Sequence, residues 1–267
     1  KLDPGAGIPL NYRLKCFFRF FSPVICIFYM HVLLHLIPGH HISGPMSAEH
    51  RIRRIFHIGI PNGVENSVFQ LGRVLVVGII TLFGTSSIAA NAIANNLDGL
   101  GVLPGQAMNL AIITVIGRCV GAGDFGQAEY YAKKMMRISY IINGLCCLCV
   151  ILTLPLTLSL YGVTEEAKAL GGLLVAIHCG FAIFLWPSSF CLANVLRAAN
   201  DVRFPMCVSV ASMIVFRIGL SYVLAVEMGL GAVGVWAAMV IDWVARVICF
   251  VWRYVSGKWK TFYKDNL

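Results

Sequence analysis

Glu65 is an acidic residue inside a long apolar segment, residues 58–76. On a helix with 100° per residue, the other polar side chains of this segment share one stripe, with Glu65 at its edge. They are Asn62, Asn66, Gln70 and Arg73. A carboxylate at the centre of a bilayer costs roughly 2.5–3.5 kcal/mol on insertion scales, so such a residue is a functional candidate by default. An acid in those surroundings either takes up a proton or binds a cation.

A second polar stripe lies on the next apolar segment. Its members fall on one helical face: Asn91, Asn95, Asp98, Gln106 and Asn109. Pro104 and Pro61 interrupt the two segments and remove backbone donors, which allows each helix to bend. The facing stripes predict a water-accessible cavity, with interhelical hydrogen bonding as the alternative. The predicted cation or substrate ligands are Glu65, Asn62, Asn66, Gln70, Asp98 and Asn95. His178 and Trp186-Pro187 are further candidates for the cavity wall, and the alternative for His178 is a packing role.

The ionisable residues inside apolar segments balance in charge, three acids against three bases: Glu65, Asp98, Asp242, Arg73, Arg217 and Arg246. Asp242 and Arg246 are four residues apart, a spacing at which helical side chains touch. Arg73 and Asp98 lie at similar depth on consecutive segments, and Arg217 lies near the depth of Asp242. We therefore expect Arg73, Arg217, Asp242 and Arg246 to form structural ion pairs. Glu65 is left without an obvious basic partner. Arg217 is the only remaining base that could pair with it.

Composition indicates what kind of protein holds these charges. Of 267 residues, 58% are apolar and 12% are charged, against about 25% charged in soluble domains. A 30 Å hydrocarbon core needs about 20 helical residues. Six segments meet this length, at about 55–80, 87–116, 138–160, 169–193, 204–226 and 231–253. Residues 14–37 are apolar but interrupted by Arg19, Pro23 and two histidines, and either span the membrane or lie at its interface.

Basic residues occur in alternate connections between these segments. Lys and Arg are concentrated before the first span, after the second and fourth, and in the tail, while the other connections hold one lysine at most. The positive-inside rule therefore predicts a multi-pass unit of six spans with both ends in the cytoplasm, and we expect it in the plasma membrane. The same rule explains the net charge of +9 without nucleic-acid binding. Residues 124–137 are predicted to form a charged cytoplasmic helix with a structural role.

Other motifs give no sign of catalysis. Residues 121–126 and 229–234 both match G-x-G-x-x-G, but they lie between spans and not within a βαβ unit, so a nucleotide site is not expected. The ten cysteines include no pair of CxxC motifs, and most lie in apolar runs as small buried residues. No nucleophile, metal cluster or acid pair stands at usable spacing. The sequence predicts neither an enzyme nor a cofactor, and no metal beyond Na+ at Glu65.

Three motifs together resemble one family. Residues 58–72, IGIPNGVENSVFQLG, look like the opening helix of the C-terminal lobe of MATE multidrug and toxin extrusion antiporters. Residues 115–124, VIGRCVGAGD, and 195–205, VLRAANDVRFP, resemble two loop motifs of that family. The order and spacing agree over about residues 52–257. Two positions depart from the pattern: Arg118 stands where the loop motif usually has glutamine, and the segment 169–193 lacks the acid found in some branches.

The resemblance implies a fold of two six-helix lobes related by a pseudo-two-fold axis. It also implies efflux of small organic cations in exchange for Na+ or H+ by alternating access, with Glu65 at a position where several branches have a cation or substrate ligand. Only one lobe matches. The expected domains are an N-terminal segment at 1–50, a six-helix lobe at 51–257 and a basic cytoplasmic tail at 258–267. The fold class is thus an all-α membrane protein.

Three functions remain open at this point. The first is an antiporter present as about half of the usual protein, with the missing N-terminal lobe as a separate chain and Glu65 about ten residues from the cytoplasmic side, near mid-membrane. The second is a lipid-linked oligosaccharide flippase of the same superfamily, in which more basic residues are expected in the cavity. The third is a non-transporting fragment or assembly partner in the lipid bilayer.

Overall fold

The computed structural model describes residues 48–260 of the chain. Within the first helix, the side chains of residues 48–55, 57–58 and 61–62 are outside that description. The predicted segment 14–37 and the end of the tail, residues 261–267, also lie outside the described residues. The six-helix part belongs to a compact unit that begins at Ile52.

Six long helices make up the described chain. They are α1 (Ala48–Thr81), α2 (Gly84–Gly121), α3 (Phe125–Ser159), α4 (Glu165–Ala198), α5 (Arg203–Glu227) and α6 (Gly231–Val255). All six are long and apolar enough to cross a membrane, since about 20 residues suffice for a 30 Å core. No strand occurs between residues 48 and 260. The prediction of an all-α membrane protein with six spans is confirmed.

The helix α3 is longer than the sequence suggested. The charged helix predicted at 124–137 and the span predicted at 138–160 form one continuous helix of 35 residues, which begins at Phe125. Between Gln127 and Asn143 no glycine or proline interrupts the chain, so nothing ends the helix where its charge pattern ends. Asp124 caps its start by accepting a hydrogen bond from the Gln127 backbone N–H at 2.9 Å, as N-cap aspartates do.

Helix α2 lies at the centre of the lobe and packs against α3 and α4. Small residues permit this close packing. Gly101 lies against the thiols of Cys147 and Cys179, and a Cβ at Gly105 would lie 2.2 Å from the ring of Trp186. Cys147 and Cys179 are free and fully buried, which agrees with their predicted role as small core residues.

Two of the helices contain π-helical turns. In α4 the turn covers Pro187–Cys191, where the missing proline N–H removes one helical hydrogen bond and so favours a local change of register. In α5 the turns cover Met213–Leu220 and Val223–Glu227. Helix α4 continues beyond its turn to Ala198, whereas the second turn of α5 is the end of that helix. The π-helical turns present Ser189 and Arg217 to internal cavities, and such turns are frequent at functional sites.

Candidate functional site

A cavity of about 430 Å³ opens between five of the helices and is called here the main cavity. Its volume is within the range of about 300–1,000 Å³ that small-molecule sites have. Eight of its twelve lining residues are polar or charged. The lining residues are Glu65, Asn66, Phe69, Asn109, Ile113, Ser189, Phe190, Ala193, Asn194, Arg197, Ser209 and Arg246. The predicted polar cavity therefore exists, and α4 contributes more of its wall than either of the helices with polar stripes.

Glu65 is buried in the wall of the main cavity and is paired with a base. Its Oε1 lies 2.5 Å from a terminal nitrogen of Arg197, whose other terminal nitrogen donates to Asn194 Oδ1 at 2.7 Å. The expectation that Glu65 lacks a base is wrong. The sequence reading placed Arg197 in a connection after the fourth span, whereas α4 continues to Ala198 and brings Arg197 to the cavity.

The contact with Arg197 locates Glu65 along the neighbouring helix. Arg197 is the next-to-last residue of α4, so Glu65 lies beside the last turn of α4.

A second ion pair lies behind the main cavity. Arg246 Nε is 3.1 Å from Asp242 Oδ1 and donates to Ser212 Oγ at 2.8 Å. Both charged side chains are enclosed, with at most 2% of either exposed. The guanidinium also lies 4.6 Å from the centre of the Phe69 ring. The four-residue spacing of Asp242 and Arg246 thus gives the contact expected of it, and Arg246 is held on several sides.

Arg217 belongs to the same charged group and not to Glu65. Its nearest acidic atom is Asp242 Oδ2, at 3.8 Å. The sequence left open whether Arg217 pairs with Glu65 or with Asp242. In the structure its position along α5 puts it beside Asp242. Asp242 lies between two arginines, Arg246 and Arg217.

Asp98 pairs with His178 and not with Arg73. The distance from Asp98 Oδ1 to His178 Nδ1 is 2.5 Å, and His178 is almost completely buried with its ring edge-on to Trp236 and Trp243. The expected pair of Arg73 and Asp98 does not form, because α2 turns Asp98 toward α4. Arg73 is exposed, and no ion pair involves it within the described part of the chain.

A smaller cavity of about 120 Å³ contains other predicted residues. Asn95, Arg73 and Arg217 contribute to its lining, together with Asn91. Trp236 Nε1 donates to Asn91 Oδ1 at 3.1 Å, and Asn95 donates to the same oxygen. This hydrogen bonding between helices is the alternative that the sequence left open for the polar stripe.

The predicted site residues are therefore divided. Glu65 and Asn66 line the main cavity, Asn95 lines the smaller cavity, and Gln70 and Asp98 are in neither lining. The side chain of Asn62 is outside the described residues. Asn194, Ser189 and Ser209 line the main cavity but were missed. The three-residue spacing of Asn194 and Arg197, which places them on one helical face, was the available signal.

The MatE family model matches residues 61–223, which is more than half of the chain. The chain belongs to the MatE family. The relatives that this MatE chain resembles include the uncharacterized transporter YisQ of Bacillus subtilis, 26% identical over 220 residues that make up 80% of this chain and 47% of YisQ. A probable multidrug resistance protein NorM of Thermotoga maritima is 24% identical over 78% of this chain and 45% of its own length.

Solved structures agree in fold with this MatE chain. An outward-facing multidrug resistance MATE transporter of the MOP superfamily superposes with a TM-score of 0.72 at 19% identity, over 85% of this chain and 50% of that one. A second structure is a MOP superfamily transporter from Pyrococcus furiosus, for which reverse polarity of the binding pocket suggests a different function. It superposes with a TM-score of 0.66 at 21% identity, over 76% of this chain and 45% of that one. The MatE chain thus spans about half the length of these relatives, and the MATE resemblance is confirmed.

Proposed function

We propose that this MatE chain is one lobe, the C-terminal one, of a secondary active antiporter that exports organic cations in exchange for Na+ or H+. The observation that supports this most directly is that Glu65 is the one acid in the described lining of the main cavity. The chain around this cavity has the fold of a MATE transporter lobe. Relatives of similar sequence are named multidrug resistance proteins. We place the lobe in the plasma membrane with both ends cytoplasmic, and we expect a second lobe as its partner.

The proposed mechanism uses the charge of Glu65. A carboxylate in a low-dielectric cavity must be neutralised, either by Arg197 as in this structure or by a proton, a metal ion or an organic cation. Only one of these occupies it at a time, so a drug cation and a coupling ion exclude each other. Asn66, Asn109 and Asn194 line the same cavity and offer neutral amide oxygens as additional ligands. Mutual exclusion at one acid is what an exchange reaction requires.

The flippase alternative is not favoured by the charge of the main cavity. Two arginines line it, Arg197 and Arg246, against the single acid Glu65. However, Arg246 is paired with Asp242 and Arg197 with Glu65. An anionic lipid-linked substrate is expected to require basic groups that have no acidic partner, and both arginines of this lining have one.

Efflux of a fluorescent cation tests the proposal. Ethidium export is measured from vesicles containing the protein in its longest natural form, alone and together with a first lobe, under an imposed Na+ or H+ gradient. We expect export driven by one of the gradients, and we expect E65Q to reduce it at least about tenfold because the exchange site loses its charge. E227Q is the control, since Glu227 is exposed at a helix end. Gradient-driven export that E65Q leaves unchanged would show that Glu65 is not the site.

A further inference from the structure

We propose that Arg197 is a built-in competitor for the cation site, which neutralises Glu65 while the site is empty and is displaced when a cation binds. This inference rests on the proposed function, because it assumes that Glu65 is where cations bind. It adds a residue that determines affinity and selectivity at that site.

The first step of the argument is the enclosure of the pair. Of the Glu65 side chain 11% is exposed, and of the Arg197 side chain 16%, with 2.5 Å between their charged groups. A carboxylate so enclosed and without a counter-charge would be strongly destabilising. Because an arginine side chain is always protonated in a protein, Arg197 cannot release Glu65 by losing a proton. It releases Glu65 only by moving away.

The second step is that Arg197 has somewhere to go. Asn194 Oδ1 accepts from its other terminal nitrogen at 2.7 Å, and that contact lies on the same helix. Arg197 is in the last turn of α4, where the partial negative charge of the helix end stabilises a cation. Of its side chain 16% is exposed, and the residue borders the main cavity, which gives the guanidinium space to turn away from Glu65.

The third step is the contrast with Arg246, the other arginine of the main cavity. Arg246 is enclosed, bonded to Asp242 and Ser212, and stacked on the Phe69 ring. Removing it from these contacts would leave Asp242 buried without its closest base. Of the two arginines, Arg197 is therefore the one that a bound cation displaces.

Displacement has a structural consequence as well. Glu65 belongs to α1 and Arg197 to α4, so the ion pair links two helices. A cation that takes over Glu65 removes this link. Loading of the site is thereby connected to the freedom of α1 to move relative to α4.

Equilibrium binding of ethidium tests the proposal. The full chain is purified in detergent, and binding is followed by fluorescence anisotropy at fixed pH without added sodium. R197Q removes the competitor while keeping a polar side chain, so we expect ethidium to bind at least about tenfold more tightly than to the wild type. E65Q is expected to abolish this binding, and R197Q in the E65Q background is expected to give no gain. R118Q is the matched control, because Arg118 is exposed and is not among the residues that line the main cavity.

Each result has a definite meaning. Binding to R197Q that is unchanged or weaker overturns the competitor role, and so does an equal gain in the E65Q background. If R197Q fails to fold, R197K is measured instead. Lysine forms a weaker pair with Glu65 than arginine does, so the R197K protein must bind ethidium more tightly than the wild type. Equal or weaker binding overturns the proposal. Wild-type binding that E65Q leaves intact overturns the proposed site itself, whereas Glu65-dependent binding without a gain in R197Q overturns only the competitor.

Discussion

Two ion pairs inside this lobe, Glu65 with Arg197 and Asp242 with Arg246, differ in how tightly they are enclosed. Glu65 and Arg197 face a cavity, whereas Asp242 is fully buried and in contact with Arg246. The open pair is suited to exchanging partners. The closed pair is suited to holding α6 against α5, because Arg246 also bonds to Ser212 on α5.

The closed pair gives a prediction about stability. In D242N the buried guanidinium of Arg246 loses its nearest counter-charge, and breaking a buried pair on one side typically costs about 3–5 kcal/mol. We expect a clear fall in the thermal unfolding temperature of the purified chain in detergent. E165Q is the control, since the Glu165 side chain is 88% exposed in its pair with Lys168 and such pairs contribute at most about 1 kcal/mol. Equal unfolding temperatures for D242N and the wild type would contradict the structural role.

The sequence predicted one of these pairs and missed the other for a geometrical reason. Asp242 and Arg246 lie on one helix, so the helical repeat alone brings them together. Glu65 and Arg197 are 132 residues apart, and their contact depends on how α1 packs beside α4. No local pattern determines that packing, and the same holds for Asp98 and His178.

At the scale of the helices, close contact depends on glycines, and their neighbours differ in stiffness. A Cβ at Gly234 in α6 would lie 2.8 Å from the backbone of Leu224, in a π-helical turn of α5. A Cβ at Gly72 in α1 would lie 2.3 Å from the terminal methyl group of Met213. The second contact is shorter, but a methionine side chain can change rotamer, whereas a backbone cannot move without its helix.

We therefore expect G234A to destabilise the lobe by about 1–3 kcal/mol, the usual cost of overpacking, and G72A to be much milder. G117A is the control, since nothing lies within 4 Å of a Cβ there and alanine favours a helix over glycine. Thermal unfolding in detergent compares the three variants. A G72A variant less stable than G234A would show that α1 packs more rigidly on α5 than the contacts indicate.

Sequence patterns were sufficient to find these helices but not their ends or their interruptions. Apolar length located all six spans. The end of α4 was misjudged because Arg197, with Asn200 and Asp201 close behind it, suggested a polar connection, although the chain stays helical through Ala198. The π-helical turns of α5 contain no proline, so their sequence gives no sign that the helical hydrogen-bonding register changes there.

For the whole molecule, short connections decide the topology almost completely. The helices are joined by two to five residues, such as 82–83 between α1 and α2 and 160–164 between α3 and α4. An extended chain covers at most about 3.6 Å per residue, so no connection can cross a 30 Å core. The connections after α2, α4 and α6 must therefore lie on one side of the membrane, and those after α1, α3 and α5 on the other.

The distribution of basic residues then predicts which side is which, and fusions test it. Arg118, Arg203 and Lys258 lie on one side, while Lys168 is the basic residue near the connections on the other. Because cytoplasmic connections are rich in Lys and Arg, a green fluorescent protein fused after Gly123 or Gly257 is expected to fluoresce. Alkaline phosphatase fused after Gly162 or Gly229 is expected to be active, since it matures outside the cytoplasm. Immunoblots normalise expression. Active phosphatase after Gly123 and Gly257, with inactive fusions at the other two sites, would mean that the lobe has the opposite orientation, with the Arg197 end of α4 facing outward.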